Sequence, residues 1–377
     1  MAKKVCFIIN TLTGGGGAER TVQNLSNKYA SQGMEVTIIL VDELKVGYKL
    51  DSNVHVKTID FKNNSSKNIF SYIKKMNELG KFIKEQKFDY VFSFLFRSNV
   101  VNIITSRIFN LSPIIISERS FSVENYKEKN IKNYLTKFLL RHIYLKADAI
   151  IAISQGVKDS LVKDFSLENN KIKVIYNPVA KYHQYPIKKI QSKNAKGLNL
   201  ITVGRLIDSK NQRELIKAVK ILHDLGIKAN LKILGEGPLK SELTSLISSY
   251  KLDKSVELLG FKPNLRDYLE DSDIFIFASK YEAFGNVILE AMQVGLPIIS
   301  YQTKGGPTEI IQDNKYGIII SENKPEKMAE EIIKINKDCE KYEKYSALSI
   351  KRASDFSIDK ISDEYLKVFD KSKLVKI

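Results

Sequence analysis

Cysteine and histidine are scarce in this sequence. Its 377 residues include two cysteines, Cys6 and Cys339, and four histidines. Two distant thiols exclude a disulfide framework, and they exclude a cysteine-rich metal site. The histidines show no spacing that is typical of metal ligands or of a catalytic triad. A reducing cytosolic compartment is therefore expected.

Long apolar runs are also missing. The first ten residues, MAKKVCFIIN, contain too short an apolar core for a secretory signal peptide. No later run approaches the roughly 20 residues that cross a bilayer as a helix. The sequence thus predicts a soluble or peripheral protein.

Acidic residues are fewer than basic ones. The 60 Lys and Arg residues against 43 Asp and Glu residues give a formal net charge of +17. Residues 1–180 hold an excess of 11 basic residues and the remainder an excess of 6. Nucleic acid, an anionic membrane or a phosphorylated substrate would fit such a charge. A surface with many solvated lysines fits it equally well.

Apolar segments rich in Val, Ile and Phe alternate with amphipathic helical stretches along the chain. The strands predicted in the first half are KVCFIIN, EVTIILV, DYVFSFL, PIIIS, DAIIAIS and KIKVIY. Those predicted in the second half are LNLITVG, NLKILG, SVELLG, DIFIFAS, LPIISY and YGIIIS. Continuous apolar strands separated by helices are typical of parallel sheets covered on both faces. The pattern therefore predicts an α/β protein with two doubly wound, Rossmann-like domains.

The alternation stops in a Pro- and Lys-containing stretch and starts again at residue 198. We predict an N-terminal domain over 1–180, a linker over 181–197 and a C-terminal domain over 198–355. A final helical segment covers 356–377. Ligands of doubly wound sheets bind at the carboxyl ends of the strands. A cleft between two facing domains is the expected ligand site.

A run of glycines, Gly14 to Gly17, lies between the first strand and the first helix. Backbone N–H groups at such a junction attract anions, so Gly16 and Gly17 are candidates for binding phosphate. The G-x-G-x-x-G pattern of dinucleotide-binding proteins fails, because its third glycine position falls on Glu19 or Arg20. A flexible turn is the alternative interpretation.

The second domain opens with VGRLIDSKNQ, which places two cations after a strand. Arg205 can contact two phosphate oxygens at once, and Lys210 supplies a point charge. Asn211 is a candidate cap for the next helix. The cations suit a diphosphate, although exposed Arg and Lys are common on any surface.

The segment YEAFGNVILEAMQVGLPIIS carries two glutamates, Glu282 and Glu290, on either side of a predicted helix start. Together with ITVGRLIDSK, ILGEGP, LLGF, DIFIFAS and GGPTEII, in that order, it resembles the donor domain of retaining family 4 glycosyltransferases with the GT-B fold. In the first half GGGGAER is the best match, and the resemblance covers nearly the whole chain.

The resemblance implies a role for each matching residue. Glu282 would face the donor sugar as a catalytic residue, and Glu290 would accept hydrogen bonds from the ribose hydroxyls. Arg205 and Lys210 would hold the nucleotide diphosphate. The turn Phe284–Gly285–Asn286 would bring helix N–H groups beside the phosphates.

Departure of the diphosphate develops negative charge, which fixed cations and helix amides stabilise. No metal or other cofactor is then required, and the UDP-sugar is a co-substrate. The D-x-D pattern of metal-dependent glycosyltransferases occurs at Asp271–Ser272–Asp273. We interpret it as a helix end, because it precedes a buried strand and so lies at the wrong end for the cleft.

Acceptor chemistry is expected in the first domain. Glu118 and Arg119 follow the strand PIIIS, and Arg97 and Asn99 follow VFSFLF. Many relatives carry a histidine near Glu118, so a general-base or sugar-orienting role is one interpretation and a structural salt bridge is the other.

The segment at 126–147 is basic and amphipathic. Its candidate membrane-docking cations are Lys129, Lys132, Lys137 and Arg141. Such a helix can lie on an anionic membrane, but a helix with its apolar face in the core has the same pattern.

These observations predict a retaining, metal-independent glycosyltransferase that moves a hexose or N-acetylhexosamine from a UDP-sugar. The expected acceptor is a lipid-linked (polyprenyl-diphosphate) oligosaccharide or polysaccharide of a bacterial surface glycan. The expected location is the cytoplasm, peripherally on the inner face of the cell membrane. A UDP-sugar epimerase or hydrolase on the same fold is the alternative. A nucleic-acid-binding protein is suggested only by the charge, since no recognition motif is present.

Overall fold

The computed structural model describes residues 2–42, 45–61, 69–111, 113–121, 131–179 and 197–374, with only the backbone at 131–134 and 370–374. The chain forms two compact units. The N-terminal unit comprises Met1–Ala180 and Phe356–Ile377, and the C-terminal unit comprises Lys181–Asp355. The predicted linker at 181–197 lies outside the described residues except for Gly197.

The N-terminal unit contains a parallel sheet of strands whose side chains are mostly buried. Among the described residues its strands are β1 (Lys4–Ile9), β2 (Glu35–Leu40), β3 (Val54–Thr58), β4 (Tyr90–Phe94), β5 (Ile115–Glu118), β6 (Ala149–Ala152) and β7 (Ile172–Val174). Their order is β3-β2-β1-β4-β5-β6-β7. The direction of strand addition reverses beside β1, which is the topological switch point of a doubly wound sheet.

Helices cover both faces of this sheet. They are α1 (Gly17–Ser31), α2 (Ile69–Gln86), α3 (Phe96–Ile108), α4 (Ile131–Tyr144), α5 (Gln155–Phe165) and α13 (Ile358–Leu374). Helices α2 to α5 are neighbours in that order on one face, and α1 packs beside α13 on the other. Right-handed crossovers in a parallel sheet produce this arrangement, because strand order runs in opposite directions on the two sides of β1.

The C-terminal helix α13 belongs to the core of the N-terminal unit. Tyr365 stacks on Phe94, with ring centroids 6.0 Å apart, and Phe369 packs edge-on against Tyr90 at 4.7 Å. The Tyr29 hydroxyl donates a hydrogen bond of 2.8 Å to the carbonyl of Ser362. The last residues of the chain thus close the apolar face that α1 leaves open.

The C-terminal unit repeats the architecture. Its described strands are β8 (Leu198–Val203), β9 (Ala229–Leu234), β10 (Val256–Gly260), β11 (Ile274–Phe277), β12 (Tyr281–Glu282), β13 (Ile298–Tyr301), β14 (Lys304–Gly305) and β15 (Ile318–Ile320). Its described helices are α6 (Gln212–Asp224), α7 (Lys240–Ser249), α8 (Leu265–Glu270), α9 (Asn286–Gln293), α10 (Gly306–Ile311), α11 (Pro325–Lys337) and α12 (Cys339–Ser354). The main sheet has the order β10-β9-β8-β11-β13-β15, and β12 pairs with β14.

The predicted fold class is confirmed, since both units are doubly wound α/β domains with parallel sheets. Each predicted strand segment forms a strand. The edge strand β3 was not predicted, and its segment VHVKT has one buried side chain. A strand with so little buried surface gives no continuous apolar signal.

Candidate active site

The first turn after β8 carries the two predicted phosphate-binding cations. Arg205 is exposed at the carboxyl end of the strand, and Lys210 ends a short helical turn five residues later. Gln212, at the start of α6, donates a hydrogen bond of 2.9 Å to the carbonyl of Arg205. That bond fixes the backbone from which the Arg205 side chain extends.

The predicted capping role of Asn211 is wrong. Asn211 does occupy the N-cap position of α6, but its backbone is left-handed with φ 56° and its side chain makes no capping hydrogen bond. A capping side chain normally requires an extended backbone at this position.

Lys210 forms an ion pair with Glu282. The two side chains are 17% and 23% exposed. The Lys210 ammonium also lies 5.8 Å from the centre of the Phe277 ring. An ion pair with restricted access to water is screened less than a surface pair. One of the predicted phosphate-binding residues therefore directly contacts the predicted sugar-facing carboxylate.

Glu282 lies in a short strand, which was not among the predicted strands. It is the second residue of β12 and pairs with Gly305 of β14. Two residues are too few to give a period-two pattern, so the sequence carries no strand signal here. Through this pairing Glu282 lies beside Gly305, the first residue of the GGPTEII segment that is part of the family resemblance.

The turn between Glu282 and α9 is formed by tight backbone packing. Gly285 has a left-handed backbone, with φ 98°, at the N-cap of α9. Gly306 packs directly on this turn, because a Cβ atom there would lie 2.4 Å from the Phe284 carbonyl oxygen. Helix α9 begins at Asn286, so the N–H groups of its first turn point toward the turn that precedes the helix. These amides form the positive end of the helix dipole.

Glu290 is buried, at 7% exposure, just over one turn from the start of α9. A carboxylate on the solvated side of a helix would be much more exposed, so Glu290 does not lie on the solvated side of α9. The Phe284 ring is buried as well, at 2% exposure. The Phe284 ring therefore packs inside the C-terminal unit and does not face a ligand in this structure.

The Asp271–Ser272–Asp273 segment connects α8 to β11, as the sequence analysis inferred. Asp271 follows the last residue of α8, and the Asp273 carboxylate accepts a 2.8 Å hydrogen bond from the N–H of Asn199 at the start of β8. In the described ranges, no three His, Cys, Asp or Glu side chains are grouped so that they could hold a metal ion.

The glycine loop of the N-terminal unit is held by side chains from its own unit. The Glu19 carboxylate accepts hydrogen bonds from the Gly14 N–H at 2.8 Å and from the Thr11 hydroxyl at 2.9 Å. The Tyr48 hydroxyl accepts from the Gly15 N–H at 3.0 Å. Two of the amides of the run are therefore occupied. Helix α1 begins at the other two glycines, with Gly16 as N-cap and Gly17 as first residue.

Glu118 lies at the carboxyl end of β5 and is fully buried. The Tyr144 hydroxyl of α4 donates a 2.7 Å hydrogen bond to Oε2, and the Arg119 N–H donates one of 3.1 Å to Oε1. Burial raises the pKa of the Glu118 carboxyl above its usual value, and these hydrogen bonds reduce the rise. The structure contains no salt bridge that joins Glu118 to a described cation within 4 Å, because the Arg119 guanidinium has other partners.

The Arg119 guanidinium is buried, and its hydrogen-bond partners are neutral groups. It donates hydrogen bonds to the Tyr365 hydroxyl at 2.9 Å and to the Thr21 hydroxyl at 2.7 Å, and it also bonds Asn177. It lies 5.3 Å from the centre of the Phe94 ring. Arg119 thus links β5 to α1 and α13, and burial lowers its pKa.

Arg97 and Asn99 lie in the first turn of α3. Arg97 pairs with Asp42, which follows β2, at 2.7 Å. Asn99 is fully buried and donates a 3.0 Å hydrogen bond to the carbonyl of Ser117 at the end of β5. At the carboxyl edge of the sheet, the Asn99 bond joins the ends of the neighbouring strands β4 and β5, and the Arg97 pair joins the ends of β4 and β2, which flank β1. Their proposed contact with an acceptor remains a prediction.

Two of the four predicted membrane-docking cations have described side chains. Lys137 is half-buried and Arg141 is exposed on α4. Lys129 lies outside the described residues, and only the backbone of Lys132 is described. Helix α4 packs through Leu140 and Tyr144, while Leu135, Phe138 and Leu139 are exposed. Within the described part of the chain, no helix is long and apolar enough to cross a membrane.

Sequence reasoning missed the residues that support the candidate site. Glu19, Tyr48 and Tyr144 hold the glycine loop and Glu118 through contacts that only the tertiary structure creates. The sequence gives a signal only for Glu19, since an acidic residue in the first turn of a helix complements the helix dipole.

Family models match both halves of the chain. Residues 184–352 match the model described as glycosyl transferases group 1. Residues 15–181 match the model described as glycosyltransferase family 4.

Similar curated proteins cover most of the chain. A Campylobacter jejuni N-acetylgalactosamine-N,N'-diacetylbacillosaminyl-diphospho-undecaprenol 4-alpha-N-acetylgalactosaminyltransferase is 29% identical over 94% of this chain and 96% of its own length. An uncharacterized glycosyltransferase of Methanocaldococcus jannaschii, MJ1059, is 31% identical over 78% of this chain and 82% of its own length.

A solved structure shares the fold. Anabaena Alr3699/HepE in complex with UDP superposes with a TM-score of 0.77 at 18% identity, over 97% of this chain and 100% of that chain. This likeness confirms the predicted GT-B fold class.

Proposed function

Because the chain belongs to the glycosyltransferases of group 1 and family 4, we propose that it moves a hexose or N-acetylhexosamine from a UDP-sugar to a lipid-linked acceptor. The acceptor is a polyprenyl-diphosphate oligosaccharide or a polysaccharide in bacterial surface-glycan biosynthesis. The anomeric configuration is retained.

One observation supports the donor part of this proposal most directly. The Lys210–Glu282 ion pair lies at the same turn as Arg205, and buried Glu290 lies on the helix that begins beside Glu282. A nucleotide sugar offers a diphosphate between two sugars. Cations suit the diphosphate, and carboxylates accept hydrogen bonds from sugar hydroxyls. The structure described as a complex of HepE with UDP is consistent with UDP as the nucleotide.

Leaving-group stabilisation requires no metal in this proposal. Arg205, Lys210 and the first amides of α9 hold the diphosphate as negative charge develops on it. Groups that are already in position stabilise this charge more in the transition state than in the ground state. Glu282 orients the transferred sugar, and Glu290 binds the ribose.

The acceptor part rests on a relative. The Campylobacter jejuni protein is named for an acceptor linked to diphospho-undecaprenol. Glu118, Arg119, Arg97 and Asn99 line up at the carboxyl edge of the N-terminal sheet, where ligands of such sheets bind. Because Glu118 and Asn99 are fully buried, they position the edge for an acceptor and contact it only after a local rearrangement.

The test is a transfer assay on the full chain. UDP-linked glucose, galactose, N-acetylglucosamine and N-acetylgalactosamine are each supplied with a polyprenyl-diphosphate-linked glycan, with EDTA and without it. We expect one donor to give a product with retained configuration by NMR, at a rate that EDTA does not change. Donor hydrolysis or epimerisation without transfer would favour the alternative activities, and abolition by EDTA would contradict metal independence.

A further inference from the structure

Helix α2 of the N-terminal unit exposes large apolar side chains at its start. Ile69, Phe70 and Ile73 are 69%, 73% and 48% exposed. Helix α2 instead packs on the sheet through Leu79 and Ile83 in its second half. The first turns of α2 thus present apolar surface to the solvent.

Helices α3 and α4 continue this apolar surface. Val100, Ile104 and Ile108 follow one another at a spacing of four along α3, and each is at least partly exposed. On α4, Phe138 and Leu139 are 50% and 61% exposed. Because α3 packs between α2 and α4, these side chains lie on adjacent helices of one layer. We call the outward surface of α2, α3 and α4 the docking face.

The docking face is also positively charged. Helices α3 and α4 contain no Asp or Glu, and α2 contains only Glu78 and Glu85 against four lysines. Lys74 on α2 and Arg141 on α4 are exposed beside the apolar side chains. Apolar side chains flanked by cations are typical of helices that lie in the interface of an anionic bilayer. The long side chains of Lys and Arg reach the lipid phosphates while their stems remain apolar.

We propose that the docking face binds the surface of a bilayer that contains anionic lipids. The apolar side chains enter the boundary between headgroups and acyl chains, and the cations contact lipid phosphates. The inference deepens the proposed function, because a polyprenyl-linked acceptor is itself held in a membrane. The sequence predicted membrane contact for the basic helix α4 alone. The docking face adds α2 and the outward side of α3 to it.

The topology explains how this surface serves the acceptor. Helices α2 and α4 each follow a strand of a parallel sheet, so both start at the carboxyl edge of the sheet. Glu118 ends β5 at that same edge. The most exposed apolar residues of α2 lie in its first turns. Contact with lipid through these turns brings the bilayer surface, where the diphosphate of a lipid-linked acceptor lies, toward the acceptor-side residues.

The test is co-sedimentation of the full chain with vesicles of phosphatidylcholine alone or with phosphatidylglycerol at 30 mol%, a ratio of about one in three chosen to give a strongly anionic surface. We expect binding to the anionic vesicles that weakens as salt is added. The variants are Phe70→Ser with Ile73→Ser, Phe138→Ser with Leu139→Ser, and Lys137→Glu with Arg141→Glu. We expect each apolar pair to weaken binding about tenfold or more, and the charge reversal to weaken it about thirtyfold or more.

Matched controls lie on the C-terminal unit. Leu225→Ser removes an apolar side chain that is 62% exposed, and Lys344→Glu with Lys351→Glu reverses two exposed charges. Neither should change vesicle binding. Far-UV circular dichroism verifies that each variant is folded. UDP binding, measured on the same samples, should be unchanged in all of them.

Three results would overturn the proposal. The first is the same vesicle affinity for the variants as for the unchanged chain. The second is no binding to anionic vesicles by a chain that still binds UDP. The third is a concentration-dependent dimer that the apolar substitutions abolish, which would assign the face to a second copy of the chain. Loss of UDP binding with intact vesicle binding would contradict the proposed function and leave the docking face supported.

Discussion

At the residue scale, the Lys210–Glu282 pair determines how the site responds to a ligand. The ammonium is already neutralised by a carboxylate of the same unit. A diphosphate that binds at Lys210 must therefore share the positive charge of the ammonium with Glu282. Arg205 is exposed and supplies additional positive charge at the same turn. Glu282 consequently needs a hydrogen-bond donor near the phosphates, and a sugar hydroxyl is such a donor.

Lys210→Ala and Glu290→Ala should each lower kcat/KM for the donor by about 10²-fold or more, because each removes a charged contact to the reacting nucleotide sugar. Steady-state kinetics with varied donor measures this. Lys220→Ala alters a half-buried residue and Glu326→Ala an exposed one on the same unit, and both serve as controls. Normal donor kinetics in both site variants would show that the donor site has been wrongly assigned.

Glu118 should make the stability of the N-terminal unit depend on pH. Burial raises its pKa in the folded state. The contribution of the protonated Glu118 carboxyl to the free energy of unfolding is fully present below the usual glutamate pKa of about 4.3. It is lost as the pH rises through the raised pKa of the folded state. Glu118→Gln removes this titration. Relative to the unchanged chain, the variant should therefore gain free energy of unfolding between pH 4 and pH 8, by about 1.4 kcal/mol for each pH unit of pKa elevation.

Urea unfolding followed by far-UV circular dichroism at several pH values measures that difference. Glu85→Gln, at an exposed position on α2, is the matched control and should show no such gain. A pH-independent difference between Glu118→Gln and the unchanged chain would mean that Glu118 is ionised at no cost in the folded state.

At the scale of elements, the turn before α9 depends on α10. Gly306 lies so close to Phe284 that a Cβ atom would meet its carbonyl oxygen at 2.4 Å. Gly306→Ala must therefore displace the backbone that leads into α9. We expect it to destabilise the C-terminal unit by about 1–3 kcal/mol, which is usual for overpacking, and to weaken UDP binding.

Gly226→Ala is the comparison. Gly226 has φ 74° and no atom within 4 Å of an added Cβ, so only the cost of a left-handed alanine applies, about 1–2 kcal/mol. Thermal unfolding and UDP titration of both variants separate general destabilisation from displacement of the turn. Equal UDP affinity in the two variants would show that the α9–α10 contact does not position the nucleotide site.

The same elements show what a sequence can predict. The strand segments were readable because buried parallel strands are continuous runs of Val, Ile and Phe, as in β1 and β11. The edge strand β3 and the two-residue strand β12 could not be predicted from the sequence, since neither carries such a run. Glu118 is surrounded by groups such as Tyr144, 26 residues away, and spacing along the chain does not reveal a contact made by packing.

At the scale of the whole molecule, the uneven charge has a structural counterpart. The basic excess is larger in residues 1–180, and within the described residues the helices α2 to α4 carry part of it beside exposed apolar side chains. In the C-terminal unit many lysines instead pair with neighbouring carboxylates, as in Lys334 with Glu330 on α11. The first unit therefore carries more basic charge than its own carboxylates balance, and the second comes nearer to balance.

Calorimetric titration with UDP and with UDP-sugars, in the presence of EDTA, is the most direct test of the nucleotide-sugar site. We expect micromolar binding of UDP and of one UDP-sugar. We also expect Glu282→Gln to weaken binding of the UDP-sugar about tenfold relative to UDP, because the lost sugar contact affects the UDP-sugar alone, whereas release of Lys210 from its ion pair affects both ligands. Absence of binding by any uridine nucleotide would contradict the assignment of Arg205, Lys210, Glu282 and Glu290 as a nucleotide-sugar site.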